Sequence, residues 1–132
     1  INILRKNGYY VIYKAHPGTA SEVNKDIFSK YVDEYILEPY EEIWECADLF
    51  VFTDTASSVF GYALTTNRPI ILLDHINNKH TESWQMLKKR INVVPVHFDK
   101  FMRIQFKDNE LLSFSGRVHK EIDNSFVKKI FN

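Results

Sequence analysis

The stretch Leu49-Phe50-Val51-Phe52-Thr53-Asp54-Thr55-Ala56-Ser57-Ser58-Val59-Phe60-Gly61-Tyr62-Ala63-Leu64 holds an apolar run that stops at small hydroxyl residues and then resumes at helical spacing. It reads as strand, turn, helix. Residues 49–52 are apolar without alternation, the pattern of a strand covered on both faces in a parallel sheet. Residues 53–58 bring one acid, four hydroxyls and no bulky side chain. A strand ending in such a turn aims the first backbone N–H groups of the next helix at one point, where they have no intrahelical acceptor. That point attracts anions, phosphate above all. The same Asp, Thr and Ser are also ordinary N-caps, and capping alone accounts for one or two of them.

Outward from this stretch the chain alternates strand and helix. Downstream, Asn67-Arg68-Pro69 stops the helix of residues 57–66, because the residue before proline disfavours the α region. Residues 70–73 are a second unbroken apolar run, hence a second buried parallel strand. A polar loop at 74–80 leads to a helix over 81–90, with Trp84, Leu87 and Lys88 on adjoining faces, and to a strand over 91–98 whose Pro95 sits at a sheet edge. Upstream, residues 1–8 read as a helix tail closed by Gly8. Residues 9–14, aromatic and β-branched, read as a strand. Residues 15–20 break it, and a helix follows from Ser21 to about Val32 with Val23, Ile27, Phe28 and Tyr31 as its apolar stripe. Residues 35–37 form a short strand ended by Glu38 and Pro39. A helix over 40–47 then buries Ile43, Trp44 and Ala47, with Cys46 as a small buried residue on that face.

This order predicts an α/β fold: a doubly wound, mostly parallel sheet with helices on both faces. Residues 1–132 form one domain, with 1–98 as its α/β core. Residues 99–132 are a C-terminal extension, where 101–106 reads as short helix or irregular strand, 110–112 as one turn, and 119–131 as a terminal helix striped by Ile122, Phe126 and Ile130.

Composition narrows the function. A chain of 132 residues with 45% hydrophobic and 14% aromatic content can bury a core. Its 17 basic side chains equal its 17 acidic ones, so no overall field draws it to nucleic acid or anionic membrane, and any anion site is built locally. The single cysteine, Cys46, forms no internal disulfide, which fits a reducing, cytoplasmic setting. No apolar run approaches the roughly 18 residues of a membrane span. Ile1 in place of an initiator methionine leads us to expect a fragment of a longer chain.

In open parallel sheets, ligands bind outside the carboxyl ends of the strands. Three turns are expected there: residues 16–19, 38–40 and 54–58. Thr55, Ser57 and Ser58 with helix-end N–H groups would hold a phosphate or diphosphate, while His16 approaches the leaving oxygen and stabilises the charge that develops on it. A metal is not expected: His75, His80 and Asp74 cluster in sequence, but a third ligand at fixed spacing is missing. His75 reads as a solvated loop residue that shares the ligand rim, and His80, His97 and His119 as surface or strand-edge residues.

These residues resemble a known pattern. A His16-Pro17 pair after an apolar strand, then Thr53-Asp54 with Ser57-Ser58, a helix, and Arg68-Pro69-Ile70-Ile71 resemble the donor-binding, C-terminal half of GT-B transferases. They look most like the CDP-glycerol glycerophosphotransferases and related capsular polysaccharide enzymes, over roughly residues 9–73. The resemblance implies a Rossmann-like fold and a glycosyl- or glycerophosphotransferase of cell-surface polysaccharide or teichoic-acid-like polymer synthesis. It implies His16 as the catalytic contact to the donor phosphate, and Thr55, Ser57 and Ser58 as phosphate ligands. The nucleotide would be held near Thr19, Glu38 and Tyr40, with Asp54 capping its turn or touching ribose. No cofactor is implied beyond a CDP- or CMP-linked donor. The implied partner is an N-terminal acceptor-binding half, with membrane association only through parts outside this chain and the isolated piece inactive. Two departures stand out: Gly61 occupies a position where the family commonly has an acid, and no basic residue follows His16 before Lys25. Two other readings remain, a UDP-sugar 2-epimerase-like domain and a noncatalytic α/β interaction domain.

Overall fold

The computed structural model describes residues 1–15, 22–55, 58–75 and 82–115. The chain is α/β with parallel sheets, and it divides into two compact units, Ile1–Cys46 and Ala47–Asn132.

The first unit begins with α1 (Asn2–Lys6). Gly8 follows at φ +89°, a conformation that a residue without Cβ adopts at no steric cost. β1 (Ile12–Lys14), α2 (Glu22–Phe28) and β2 (Glu34–Ile36) come next. β1 and β2 pair in parallel with Lys14 opposite Ile36. The Tyr13 ring stacks on Phe28 at 4.6 Å and on Tyr35 at 5.6 Å, so α2 is docked on the strand pair by aromatic rings. Asp33 ties the unit together: its Oδ2 accepts from the Val11 backbone N–H at 2.7 Å and its Oδ1 from Arg5 Nη2 at 3.1 Å. α2 stops at Phe28, short of the expected Val32, and the chain turns toward Asp33. Val32 is buried, but Ile27 and Tyr31 are exposed, so the stripe expected of this helix is only partly covered.

α3 (Tyr40–Ile43) lasts a single turn and continues as a 3₁₀ turn, Trp44–Cys46. This corrects the sequence reading of Cys46. The α-helical spacing behind it ends at Ile43, and Cys46 is exposed. The buried residue here is Tyr40, while Ile43, Trp44 and Ala47 are half-buried.

The second unit is built on β3 (Phe50–Phe52), β4 (Ile70–Asp74) and β5 (Asn92–Pro95), all parallel, with β4 in the middle. α4 (Ser58–Leu64) and α5 (Glu82–Arg90) make the crossovers. Ile70, Ile71 and Leu72 are at most 1% exposed, as an unbroken apolar run in a middle strand should be. β3 departs from the expectation of cover on both faces. Phe52 meets Phe60 of α4 edge-on at 5.2 Å, but Val51, on the opposite face of the strand, is 40% exposed.

Arg90 locks the end of α4. Its side chain is buried, with Nε donating to Leu64 O at 3.2 Å and Nη2 to the carbonyls of Ala63, Thr66 and Arg68 at 3.3, 2.8 and 3.0 Å. A cation among the carbonyls past a helix's last turn is favoured by the helix dipole as well.

The strand expected over 91–98 is two. Val96 N–H donates to Asp74 O at 2.9 Å, and the chain then enters β6 (His97–Phe98), which pairs antiparallel with β7 (Ile104–Gln105). α6 (Asp108–Ser115) packs against β4 and β5, with Leu111 buried. The terminal helix expected over 119–131 lies outside the described residues.

Candidate functional site

In the second unit, the hydroxyl turn leaves the carboxyl end of β3. Thr53, Asp54 and Thr55 are exposed there, and exposed Ser58 opens α4. The local chemistry explains the geometry. Three consecutive apolar residues favour the strand, and the Thr-Asp-Thr run then offers side-chain hydrogen bonds that compete with continued strand pairing. Ser57 lies outside the described residues. At Gly61 an added Cβ would meet nothing within 4 Å.

In the first unit, β1 and β2 send their continuations from one edge. Lys14 is opposite Ile36, and the N–H of the buried Ala15 donates to Ile36 O at 3.0 Å. From that edge comes the turn with Glu38, whose Oε2 accepts from the Leu37 N–H at 3.1 Å, and with Tyr40, whose side chain belongs to the unit's core. His16 and Thr19 lie outside the described residues. Glu38 and Tyr40 thus belong to one turn, and Asp54, Thr55 and Ser58 to another.

The carboxyl rim of the second unit also carries His75. Its ring meets that of Phe98 edge-on, centroids 5.3 Å apart and planes at 67°. Both side chains are exposed. The sequence offered only the position of His75 after an apolar strand. Its partner comes from β6, which sequence reading had merged with β5. Arg90, too, was passed over, although its i, i+3 spacing from Leu87 puts it on the buried stripe of α5.

Among the described residues, no group of three or more His, Cys, Asp or Glu side chains gathers to hold a metal ion. None of their helices is long and apolar enough to cross a membrane. No protein-family model, curated protein or solved structure matches the chain.

Proposed function

We propose that this chain is the nucleotide-donor-binding domain of a glycosyl- or glycerophosphotransferase that builds a cell-surface polymer. In this reading the sheet is doubly wound with helices on both faces, the Rossmann-like half of a GT-B fold. The observation that carries it is the exit of β3: a parallel strand ending at the carboxyl edge of its sheet in exposed Asp54 and Thr55, with Ser58 opening the next helix. Open parallel sheets bind ligands at this edge, and hydroxyl and backbone N–H donors fixed there suit phosphate oxygens. Thr55, Ser57 and Ser58 hold the donor phosphates, with Asp54 in the same turn beside the nucleotide. The acceptor and the second catalytic group come from an acceptor-binding half.

Isothermal titration of the folded chain with CMP, CDP and UDP tests the reading. Binding of a cytidine nucleotide, weakened by Thr55→Ala with Ser58→Ala, is the expected result. No heat with any of the three from a sample folded by circular dichroism overturns it.

A further inference from the structure

The exposed apolar side chains are unevenly placed. Four large ones, Phe98, Phe101, Met102 and Ile104, fall between residues 98 and 104, in and between β6 and β7. Phe98 and Ile104 are opposite each other in the ladder, and exposure rises beyond them to 63% at Phe101 and 74% at Met102 in the turn. The hairpin is therefore an apolar projection, most apolar where it stands farthest out. Its turn is firmly made: the Asp99 carboxylate accepts four hydrogen bonds from Phe101, Arg103 and Gln105. Met102 holds φ +61°, where glycine would be free of strain and a residue with a Cβ is not. The tip thus carries a long apolar side chain at the one turn position where local preference is for none.

Charge is gathered beside the same ring. Lys100 Nζ and the Arg103 guanidinium each lie 5.0 Å from the Phe101 ring centroid. Arg103 is also paired with Asp99 at 3.1 Å, and Asp99 is the one acid in residues 97–105. Lys100 is left with the hairpin's net positive charge. Past β7, Lys107 is followed by Asp108 and Glu110, which offset it. Apolar tip and adjoining cation together match a surface whose outside is anionic and whose inside is hydrocarbon.

We infer that the β6–β7 hairpin docks on an anionic lipid bilayer, Phe101 and Met102 entering the acyl boundary while Lys100 stays among the lipid phosphates. A projecting tip suits a deformable surface, whereas a bound peptide needs a groove or a long free strand edge, and β7 is two residues long. The balanced charge of the whole chain does not oppose this, because attraction to a charged surface acts on the charges within a Debye length of it. Two apolar side chains and one net charge hold less tightly than the about 10⁴ M⁻¹ of a single acyl chain. The tip is accordingly a reversible contact that orients the chain on the bilayer. The resemblance described above implies membrane association only outside this chain; this contact lies within it and is independent of the donor-binding reading.

Co-sedimentation of the full chain with vesicles of phosphatidylcholine and phosphatidylglycerol in equal parts, at millimolar lipid, tests the inference. The wild type should bind, and Phe101→Ser should weaken binding about tenfold, the scale of one large apolar side chain. Lys100→Gln should weaken it about fivefold, and vesicles of phosphatidylcholine alone should bind the wild type less than the mixed ones do. Met102→Gly should weaken binding with no loss of urea stability, since it takes away strain along with the side chain. Phe101→Trp, in a chain with Trp44→Phe and Trp84→Phe, should be quenched by lipids brominated along their acyl chains. A folded wild type that stays off the mixed vesicles overturns the inference, as does binding that Phe101→Ser and Met102→Gly leave unchanged. Reduced urea stability in Phe101→Ser would show the ring covered by the chain itself, and a dimer dispersed by Phe101→Ser would show it covered by a second copy; either overturns bilayer docking. Nucleotide titration of the same variants should match the wild type, so the donor-binding reading stands or falls separately.

Discussion

In β4 the side chains of Ile70, Ile71 and Leu72 are all closed off from solvent, whereas in β1 Ile12 is 36% exposed and Tyr13 and Lys14 are half-buried. The difference follows from position in the sheet. β4 has a strand on each side and α6 packed against it, while β1 has one strand partner. The units accordingly use different chemistry. The second relies on aliphatic burial and on the Arg90 clasp at the end of α4. The first relies on the Phe28–Tyr13–Tyr35 stack and on Asp33 joining Val11 to Arg5. An apolar run alone does not say how deeply a strand is covered: β3 is as apolar as β4, yet Val51 faces solvent.

The sharpest way to break this contrast is at Arg90. Arg90→Met keeps much of the buried aliphatic stem and deprives the carbonyls of Ala63, Leu64, Thr66 and Arg68 of a charged donor. The second unit should lose about 3 kcal/mol, because several hydrogen bonds from one buried charged donor are removed together, Ala63 O keeping bonds from the Thr66 N–H and Oγ1. Each unit carries one tryptophan, Trp44 in the first and Trp84 in the second. Urea unfolding in Trp44→Phe and Trp84→Phe backgrounds therefore follows the two units separately. Arg90→Met should move the Trp84 transition to lower urea and leave the Trp44 transition in place. Movement of both by the same amount would mean that the units unfold as one cooperative block.

A second comparison uses the same substitution in both places. Ile71→Ala should cost about 3 kcal/mol, the transfer loss plus an unfilled cavity. Ile12→Ala should cost under about 1 kcal/mol, since its side chain is not closed off from water. Equal costs, read by the same two tryptophans, would show that β1 is covered in solution as fully as β4.

Much of this frame was legible in the sequence because it is set by local chemistry. The unbroken runs at 49–52 and 70–73 gave the strands β3 and β4, and Gly8 took the positive φ that ends a helix tail; α4, expected to run to Thr66 ahead of Pro69, ends at Leu64. The exit of β3 into Thr53, Asp54 and Thr55 was legible for the same reason, as strand, turn and helix adjoin in sequence. What escaped depends on groups distant along the chain. Cys46 was placed by a helical period that stops at Ile43, and Val51 by an apolar count that says nothing of neighbours. Arg90 is one of three basic residues that end α5, and of the three only its side chain is buried, against carbonyls at the end of another helix. The His75–Phe98 contact needs β5 and β6 to be separate strands: the Val96 N–H still bonds to Asp74 O, and from His97 on the chain changes partner to β7.

The smallest expected effect lies in the β6–β7 hairpin, a third way of holding strands together and the one that seats Phe98. Its turn is organised by one carboxylate. Asp99 Oδ1 accepts from the N–H groups of Phe101 and Arg103 at 2.8 and 2.9 Å, and Oδ2 from Arg103 Nε and Gln105 Nε2 at 3.1 and 3.2 Å. Met102 takes φ +61° beside it, a strained conformation for a side chain with a Cβ, and its N–H donates to Asp99 O. The Arg103 backbone bond, then that of Phe101, holds the Asp99 carboxyl below its ordinary range against an opposing contribution from desolvation. A carboxyl whose pKa is lowered on folding stabilises fully above its unfolded value, about 3.9, and that contribution disappears as pH falls through the folded value. The amide signals of Phe101 and Arg103 should hence titrate together, with a midpoint below that of an ordinary aspartate, while those of Ile71 and Leu72 stay fixed. As the turn loosens at low pH, Phe98 should lose its fixed place against His75, and the two rings' resonances should move with the same midpoint. Asp99→Asn keeps an acceptor for the two backbone N–H groups and should abolish this titration with the hairpin still formed. A midpoint at or above the ordinary aspartate value would show that the carboxylate does not hold the turn, leaving the strand pairing to place Phe98 alone.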